Sequence, residues 1–228
     1  KVMHFWSTGP GYFLMTEGND VRTLEDLAAL TKPIRAGNPA SAVTITALGA
    51  EALYCPMSVA LEKFEAGLIA GILCPTDTPK GFGLAAYVRT GVFFPFGYQF
   101  VFMKVMNTAT WASLPAEVQA CFDEVNAVWA EYAGKTRAWG EGPDGHAYLE
   151  DNVAGWTLYD LATEDPTEYA RWVDACYPGC IDTWIAAENS AARQELWDLF
   201  VELDEYYCTT EPWASWEPGA SAPTPPSF

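Results

Sequence analysis

Arg35 is the side chain whose placement most clearly suggests chemistry. It lies in TLEDLAALTKPIRAGNP, residues 23–39. The stretch reads as a capped helix, a short strand and the start of a second helix. Thr23 caps the first helix and Asp26 reaches back three residues, a capping box with Asp in the usual Glu place. Lys32-Pro33 ends that helix. Ile34 heads inward, and Pro39 suits the first turn of the next helix, where its missing N–H is not needed. Arg35 therefore stands where a strand ends and a helix begins, the end of an open α/β sheet at which ligands bind. A guanidinium near free helix amides suits a carboxylate. On spacing alone a plainer alternative stays open: a surface arginine paired with one of many acidic neighbours.

Other chemistry is less well supported. The six cysteines are Cys55, Cys74, Cys121, Cys176, Cys180 and Cys208. Pro178-Gly179 between Cys176 and Cys180 predicts a turn that joins them in a disulfide, and with it an oxidising compartment. Two reduced loop thiols are the alternative. Cys55 and Cys121 sit in apolar patterns and read as buried hydrophobes. Cys74 as a reactive thiol of low pKa would instead make an enzyme or a secreted interaction module on the same scaffold. The two histidines, His4 and His146, form no HExxH. No GxSxG, Walker loop or GxGxxG occurs, and GFGLAA at 81–86 fits a looser GxGxxA without directly following a strand. No cofactor or metal is expected, and nothing supports catalysis.

The elements that would hold Arg35 in place alternate. After Pro39, residues 40–48 read as a helix closed by Gly49, 51–54 as a strand, and 59–66 as a helix capped by Ser58. Residues 69–73 form an apolar strand ending at Cys74-Pro75. That alternation predicts a parallel α/β sheet. Residues 87–94 and 98–105 are aromatic, β-branched strands around a Pro-Phe-Gly turn; the first reads equally as an extended segment crossing between lobes. Leu114-Pro115 opens a helix to about Arg137, with Val118, Phe122, Val125 and Trp129 as an expected core stripe. Residues 140–145 predict a break. A strand at 156–161 and helices from Asp165-Pro166, at 181–187 and at 191–207 follow. The Pro-rich tail lacks periodicity, and its Trp213 and Trp216 are candidate anchors.

The totals exclude some partners. Thirty acidic against twelve basic residues give a formal charge of −18 in 228 residues. Nucleic acid or an anionic membrane would need a basic footprint that is absent. Hydrophobic residues make up 50%, which marks a globular chain. No apolar run is long enough to span a bilayer, and the start KVMHFW is not a signal peptide but reads as a strand entered midway.

Four stretches together resemble the solute-binding proteins of tripartite ATP-independent periplasmic (TRAP) transporters, of the DctP type. They are FWSTGPGYF; VRTLEDLAALTKPIRAGNP; TALGAEALYCPMSVALEKFEAGLIAGILCP with GFGLAAYV; and VFMKVMNTATWASLPAEVQACFDEV. The resemblance covers about residues 1–138 well and the helical remainder loosely. It implies a periplasmic-binding-protein-like two-lobe α/β fold whose N-terminal lobe is missing here, with a helix-rich C-terminal part. The implied division is an α/β ligand-binding lobe with hinge strands at 1–106, a helical part at 107–208 and a Pro-rich tail at 209–228. Arg35 matches the family's arginine that bridges the substrate carboxylate through two hydrogen bonds. Asn38 and Met57 match pocket-lining positions. Cys74 stands where a polar group is common, which suggests a less polar acid. Trp6, Tyr12, Phe96 and Tyr98 lie in segments that reach the cleft. The implied function is capture of an organic acid in the periplasm and its delivery to TRAP membrane subunits, without catalysis. Dimerisation through helices, known in some members, is a further expectation.

Overall fold

Capping side chains decide where the chain turns on either side of Arg35. The computed structural model describes residues 1–98, 100–139, 141–187 and 189–210, with side chains at all of these except 96, 131, 133–143, 178 and 204–210. The chain runs through β1 (Val2–Ser7), β2 (Tyr12–Thr16), α1 (Leu24–Ala29), β3 (Ile34–Ala36), α2 (Pro39–Ala47), β4 (Ala52–Tyr54), a 3₁₀ turn (Met57–Val59), α3 (Ala60–Glu65), β5 (Gly71–Cys74), α4 (Thr78–Phe82) and β6 (Val88–Phe93). A second 3₁₀ turn (Pro95–Gly97) leads to β7 (Val101–Val105), α5 (Thr108–Ser113), α6 (Ala116–Trp139), α7 (Glu141–Asn152), β8 (Thr157–Asp160), α8 (Leu161–Glu164), α9 (Pro166–Ala186) and α10 (Ser190–Thr210). Thr23 and Asp26 form the expected reciprocal cap on α1. Asn38 and Ser41 form a second one on α2, with Pro39 in its first turn. Ser58 caps nothing, because it lies inside the 3₁₀ turn that precedes α3.

The fold is mixed α/β. Six strands form one sheet in the order β4-β3-β5-β2-β6-β8, and β1 and β7 form a separate pair. The sheet is not wholly parallel, as the alternation suggested. β3 runs parallel to β4 and β5, and β6 parallel to β8, but β2 opposes both its neighbours. The cause lies in how the chain enters. Tyr12, the first residue of β2, pairs with Cys74, the last of β5, and with Phe93, the last of β6. Two segments, from β1 to β2 and from β6 to β7, thus pass between the sheets at the end of the main sheet where β3 and β5 finish. The Pro-Phe-Gly turn makes no hairpin; it sends the chain across to β7, which pairs with β1. Residues 88–93 are thus a paired strand of the main sheet, and the crossing comes after them rather than within them.

Two hydrophobic clusters cover the two faces of the main sheet. Phe13, Ile34, Leu73, Val92 and Phe94 pack with Trp172 of α9 and Ile45 of α2. Leu14, Ile72 and Cys74 pack with Phe64 of α3 and Leu149 of α7. Trp172 meets Phe13 and Phe94 edge to face at 5.4 and 5.2 Å, a geometry that aromatic pairs favour.

The second half departs from expectation in three places. α9 runs unbroken through Pro178-Gly179. Pro in a helix interior costs about 3 kcal/mol, and here burial of Trp172 and Cys176 on the same helix carries it through. Cys176 and Cys180 are therefore one helical turn apart on a single element, both free thiols. The disulfide is not formed, and the inference of an oxidising compartment loses that support. Cys121 is exposed rather than buried, whereas Cys55 is buried as expected. On α6, Val125 and Trp129 are exposed and Asn126 is buried, with its side-chain oxygen accepting from Lys104 and facing His4. The expected stripe is thus only half covered. The predicted break at 140–145 does not hold for residues 141–145, which are helical in α7; Gly140 lies outside the described residues. The tail from residue 211 also lies outside them.

One carboxylate ties α9 to the helix before Arg35. Glu168, 5% exposed, accepts from the Leu24 backbone N–H at 2.7 Å and from Trp172 Nε1 at 3.0 Å. Arg171 bonds the other Glu168 oxygen and also Glu25. Leu24 opens α1, so its N–H has no partner within the helix. Replacing Glu168 by Ala orphans that N–H and the buried indole N–H, and is expected to cost about 2–3 kcal/mol. Urea unfolding checks this; an unchanged midpoint would remove Glu168 as the tie. The hydrogen bond from Arg171 holds the Glu25 carboxyl below its ordinary value of 4.5. A depressed folded pKa adds stability above 4.5 that fades as pH falls through the folded value. Arg171→Gln should therefore flatten the acid limb of a stability–pH curve.

Candidate functional site

Strand alternation sorts the candidates first. Arg35 lies level with Ile72 of β5, and Ile72 with Leu14 of β2. Ile34 and Ala36 join the α2/α9 cluster, so Arg35 starts on the opposite face, with Ile72, Cys74 and Leu14. Tyr12 and Cys74 stand on that face one step nearer the crossing segments.

The Arg35 side chain is 3% exposed. Its Nε and Nη2 donate to one acceptor, the Cys55 carbonyl oxygen, at 3.0 and 2.8 Å. No carboxylate forms an ion pair with it among the described residues. That removes the plain reading of a surface arginine with an acidic partner. A buried cation without a counter-charge is costly. A guanidinium has five N–H bonds; Cys55 uses two. Three remain, including one on each terminal nitrogen, which form the end-on fork that matches a carboxylate.

Gly37 lies beside one terminal nitrogen of the guanidinium. A Cβ placed there would lie 3.3 Å from Arg35 Nη1, 3.6 Å from Phe100 Cε2 and 3.7 Å from Tyr98 Cε2. Guanidinium and two aromatic edges thus converge over a residue with no side chain. Tyr98 and Phe100 meet edge to face at 4.6 Å. Phe100 stacks on Phe102 at 6.1 Å, and Phe102 meets Trp6 at 5.5 Å. An aromatic ladder therefore runs from Arg35 along the crossing segment to the β1/β7 pair. Gly11 seats it: a Cβ there would fall 2.4 Å from Tyr98 Cβ, so only glycine lets the two crossing segments touch. The Thr8 backbone N–H donates to the Phe100 carbonyl, and the Phe100 N–H to the Thr8 hydroxyl.

The thiol of Cys74 and the phenols of Tyr98 and Tyr12 are held neutral. Burial pushes the Cys74 thiol up to about 12, against a hydrogen bond with Thr78 and the Arg35 charge. Burial raises Tyr98 strongly and Tyr12 to about 12. The negative charge of Asp77 raises both Cys74 and Tyr98 further.

Of the residues singled out in the sequence, Arg35, Cys74 and Tyr98 meet here. Tyr12 pairs with Cys74 across the strands, though its ring packs on Phe93 at 4.8 Å. Trp6 is reached only through Phe102 and Phe100. The Asn38 Oδ1 accepts from the Ser41 N–H at 2.6 Å as the α2 cap. Met57 packs on the cluster that contains Cys74. The Phe96 side chain lies outside the described residues. Phe100, Gly37 and the Cys55 carbonyl were missed. Tyr98-Phe100-Phe102 alternates at period two, a signal from which Phe100 was readable; the carbonyl had none.

No family model and no curated relative matches the chain. Solved structures do match, at low identity. A TRAP periplasmic solute-binding protein from Desulfovibrio salexigens is 22% identical at TM-score 0.70, covering 95% of this chain and 63% of its own. A marine metagenome TRAP solute-binding protein specific for aromatic acid ligands, in complex with metahydroxyphenylacetate, is 20% identical at TM-score 0.74, covering 91% and 64%. A Bordetella pertussis extracytoplasmic solute receptor binding pyroglutamic acid is 19% identical at TM-score 0.71, covering 88% and 62%. The chain therefore has the fold of this two-lobe class and spans less than two thirds of the length of these structures.

A thiol at about pKa 12 is not a nucleophile at neutral pH. Iodoacetamide at pH 7 is expected to leave Cys74 unmodified in the folded protein and to label it in urea. Native labelling as fast as that of the exposed Cys121 would overturn the buried, neutral assignment.

Proposed function

We propose that the chain is the ligand-holding part of an extracytoplasmic solute-binding protein that captures an organic acid by its carboxylate and hands it to a TRAP-type membrane transporter. The observation that carries this is Arg35: a buried guanidinium, anchored on one side by the Cys55 carbonyl, with an end-on fork that no carboxylate of the chain fills among the described residues. The acid supplies the missing counter-charge. The fold likeness supports the reading, as do the ligands named for the neighbours, among them benzoate, mandelate and pyroglutamic acid. No bond is made or broken, and the buried, high-pKa Cys74 speaks against the thiol-enzyme alternative.

In this reading Arg35, Cys74, Tyr98 and Tyr12 face the acid, while Asn38 sets the start of α2 and its positive dipole end behind the carboxylate. Met57 and Trp6 complete the surroundings. Residues 1–106 carry the site and hinge strands, 107–208 the helical support, and 209–228 a tail. Closure around the acid presents the bound form to the membrane subunits. Periplasmic placement follows from that role; among the described residues no helix is long and apolar enough to cross a membrane. The expected homodimer would use α10, whose Leu196, Leu199 and Leu203 stand exposed at heptad spacing.

Calorimetry with carboxylates tests the assignment. Arg35→Ala is expected to cost roughly 2–5 kcal/mol of binding, and Arg35→Lys to fail nearly as badly, because a point charge cannot replace the fork. Near-normal affinity in the lysine variant would sink the two-bond model.

A further inference from the structure

We infer that a pocket between α2, α9 and α10 is a second binding site, for a long-chain aliphatic carboxylate, with the hydrocarbon chain along α9 and the head on Arg193. α2 and α9 cover the face of the main sheet opposite to the one on which Arg35 starts. The site is separate from Arg35 and does not rest on the capture reading above.

Three observations carry it. The first is space. The pocket holds about 860 Å³, within the roughly 300–1,000 Å³ usual for small-molecule sites. Pro39 and Val43 of α2, Cys176, Cys180 and Trp184 of α9, and Phe200 of α10 line it. The helices meet here through small residues. Ala42 and Ala47 of α2, with Ala175 and Gly179 of α9, border an adjoining hollow of about 500 Å³. The two spaces share Val43, Cys180 and Thr183. A Cβ added to Gly179 would meet nothing within 4 Å. Protein interiors are close-packed, so a gap of this size between helices is room for a guest.

The second is the wall. Trp184 and Phe200 stand exposed on it, apolar surface that a bound chain would cover. The lining residues of α9 run from Cys176 to Ala187, about 16 Å of helix at about 1.5 Å per residue. A run of that length suits an extended alkyl chain better than a compact body. Each methylene buried there tightens binding about fourfold.

The third is charge. Among the described residues that line the pocket, Arg193 alone is charged. Its Nη1 donates to the Trp184 carbonyl oxygen at 2.7 Å, and its guanidinium lies over the Trp184 ring at 5.3 Å. It is thus held beside the last turn of α9. No carboxylate pairs with it among the described residues. A guanidinium has five N–H donors, which leaves enough for both oxygens of one carboxylate. In a chain of formal charge −18, a cation at the end of an apolar run selects an anion with one head. An ammonium head would be repelled, and a second carboxylate would go unmatched.

The test is calorimetry on the full chain with octanoate, dodecanoate and dodecyltrimethylammonium, each below its micelle concentration, together with the rate at which N-ethylmaleimide labels Cys180. Dodecanoate is expected to bind at one site, more than tenfold tighter than octanoate or the ammonium. At saturation it should slow labelling of the half-buried Cys180 at least fivefold, while the exposed Cys121 keeps its rate. Arg193→Gln should weaken dodecanoate at least threefold and shrink its margin over the ammonium. Val43→Trp, verified as folded by its thermal melt, fills the pocket and should weaken dodecanoate more than tenfold. Dodecanoate that fails to bind, binds no tighter than the ammonium, or keeps its affinity in folded Val43→Trp would overturn the assignment. So would dodecanoate binding with no change at Cys180, which would place it elsewhere, Arg35 included. Labelling of Cys180 that no acid slows, but that quickens when residues 211–228 are removed, would give the pocket to the chain's own tail instead.

Discussion

A buried guanidinium with no carboxylate partner among the described residues is the constraint on which the site depends. Burying Arg35 is tolerable because the Cys55 carbonyl takes two of its N–H bonds and because the α2 cap, Asn38 with Ser41, holds the chain in a tight turn beside it. Neither supplies a negative charge. The energetic debt of desolvating the cation is left for something outside these residues to settle. Around it the thiol of Cys74 and the phenols of Tyr98 and Tyr12 are buried and held neutral.

The segments around Gly11 and Tyr98 join the main sheet to the β1/β7 pair, and they also carry the aromatic side of the site. Chemistry and connection between sheets are built from the same few residues. Phe100 has its ring toward Arg35 and its backbone bonded to Thr8. Tyr98 rests directly on Gly11. A ligand held here touches the joint itself.

Local signals in the sequence were sound where the physics is local. The capping box at Thr23, the strand at Ile34, Pro39 opening α2 and Asp165-Pro166 opening α9 are short-range events, and all were readable. So was the position of Arg35, because strand exit and helix entry are set within a few residues. What was not legible depended on partners far along the chain. The antiparallel course of β2 follows from where the crossing segments enter, which no alternation of apolar residues encodes. Pro178-Gly179 reads as a turn, yet packing of Trp172 and Cys176 overrides it and takes the disulfide with it. Val125 and Trp129 looked like core because periodicity reports a face without reporting what covers it. The Cys55 carbonyl, a backbone atom, leaves no mark in residue types at all.

The crossing has a kinetic side. β3, β4 and β5 join through short helical connections, so their pairing closes small loops. β1 and β7 are different: Lys1 meets Met106 across 105 positions of chain. Loop-closure entropy makes such a meeting late and topologically expensive. The charged half of the site belongs to the part that assembles from nearer neighbours, and the aromatic half to the part that joins segments about a hundred positions apart. On loop-closure entropy alone, the guanidinium would be in place before the rings that face it.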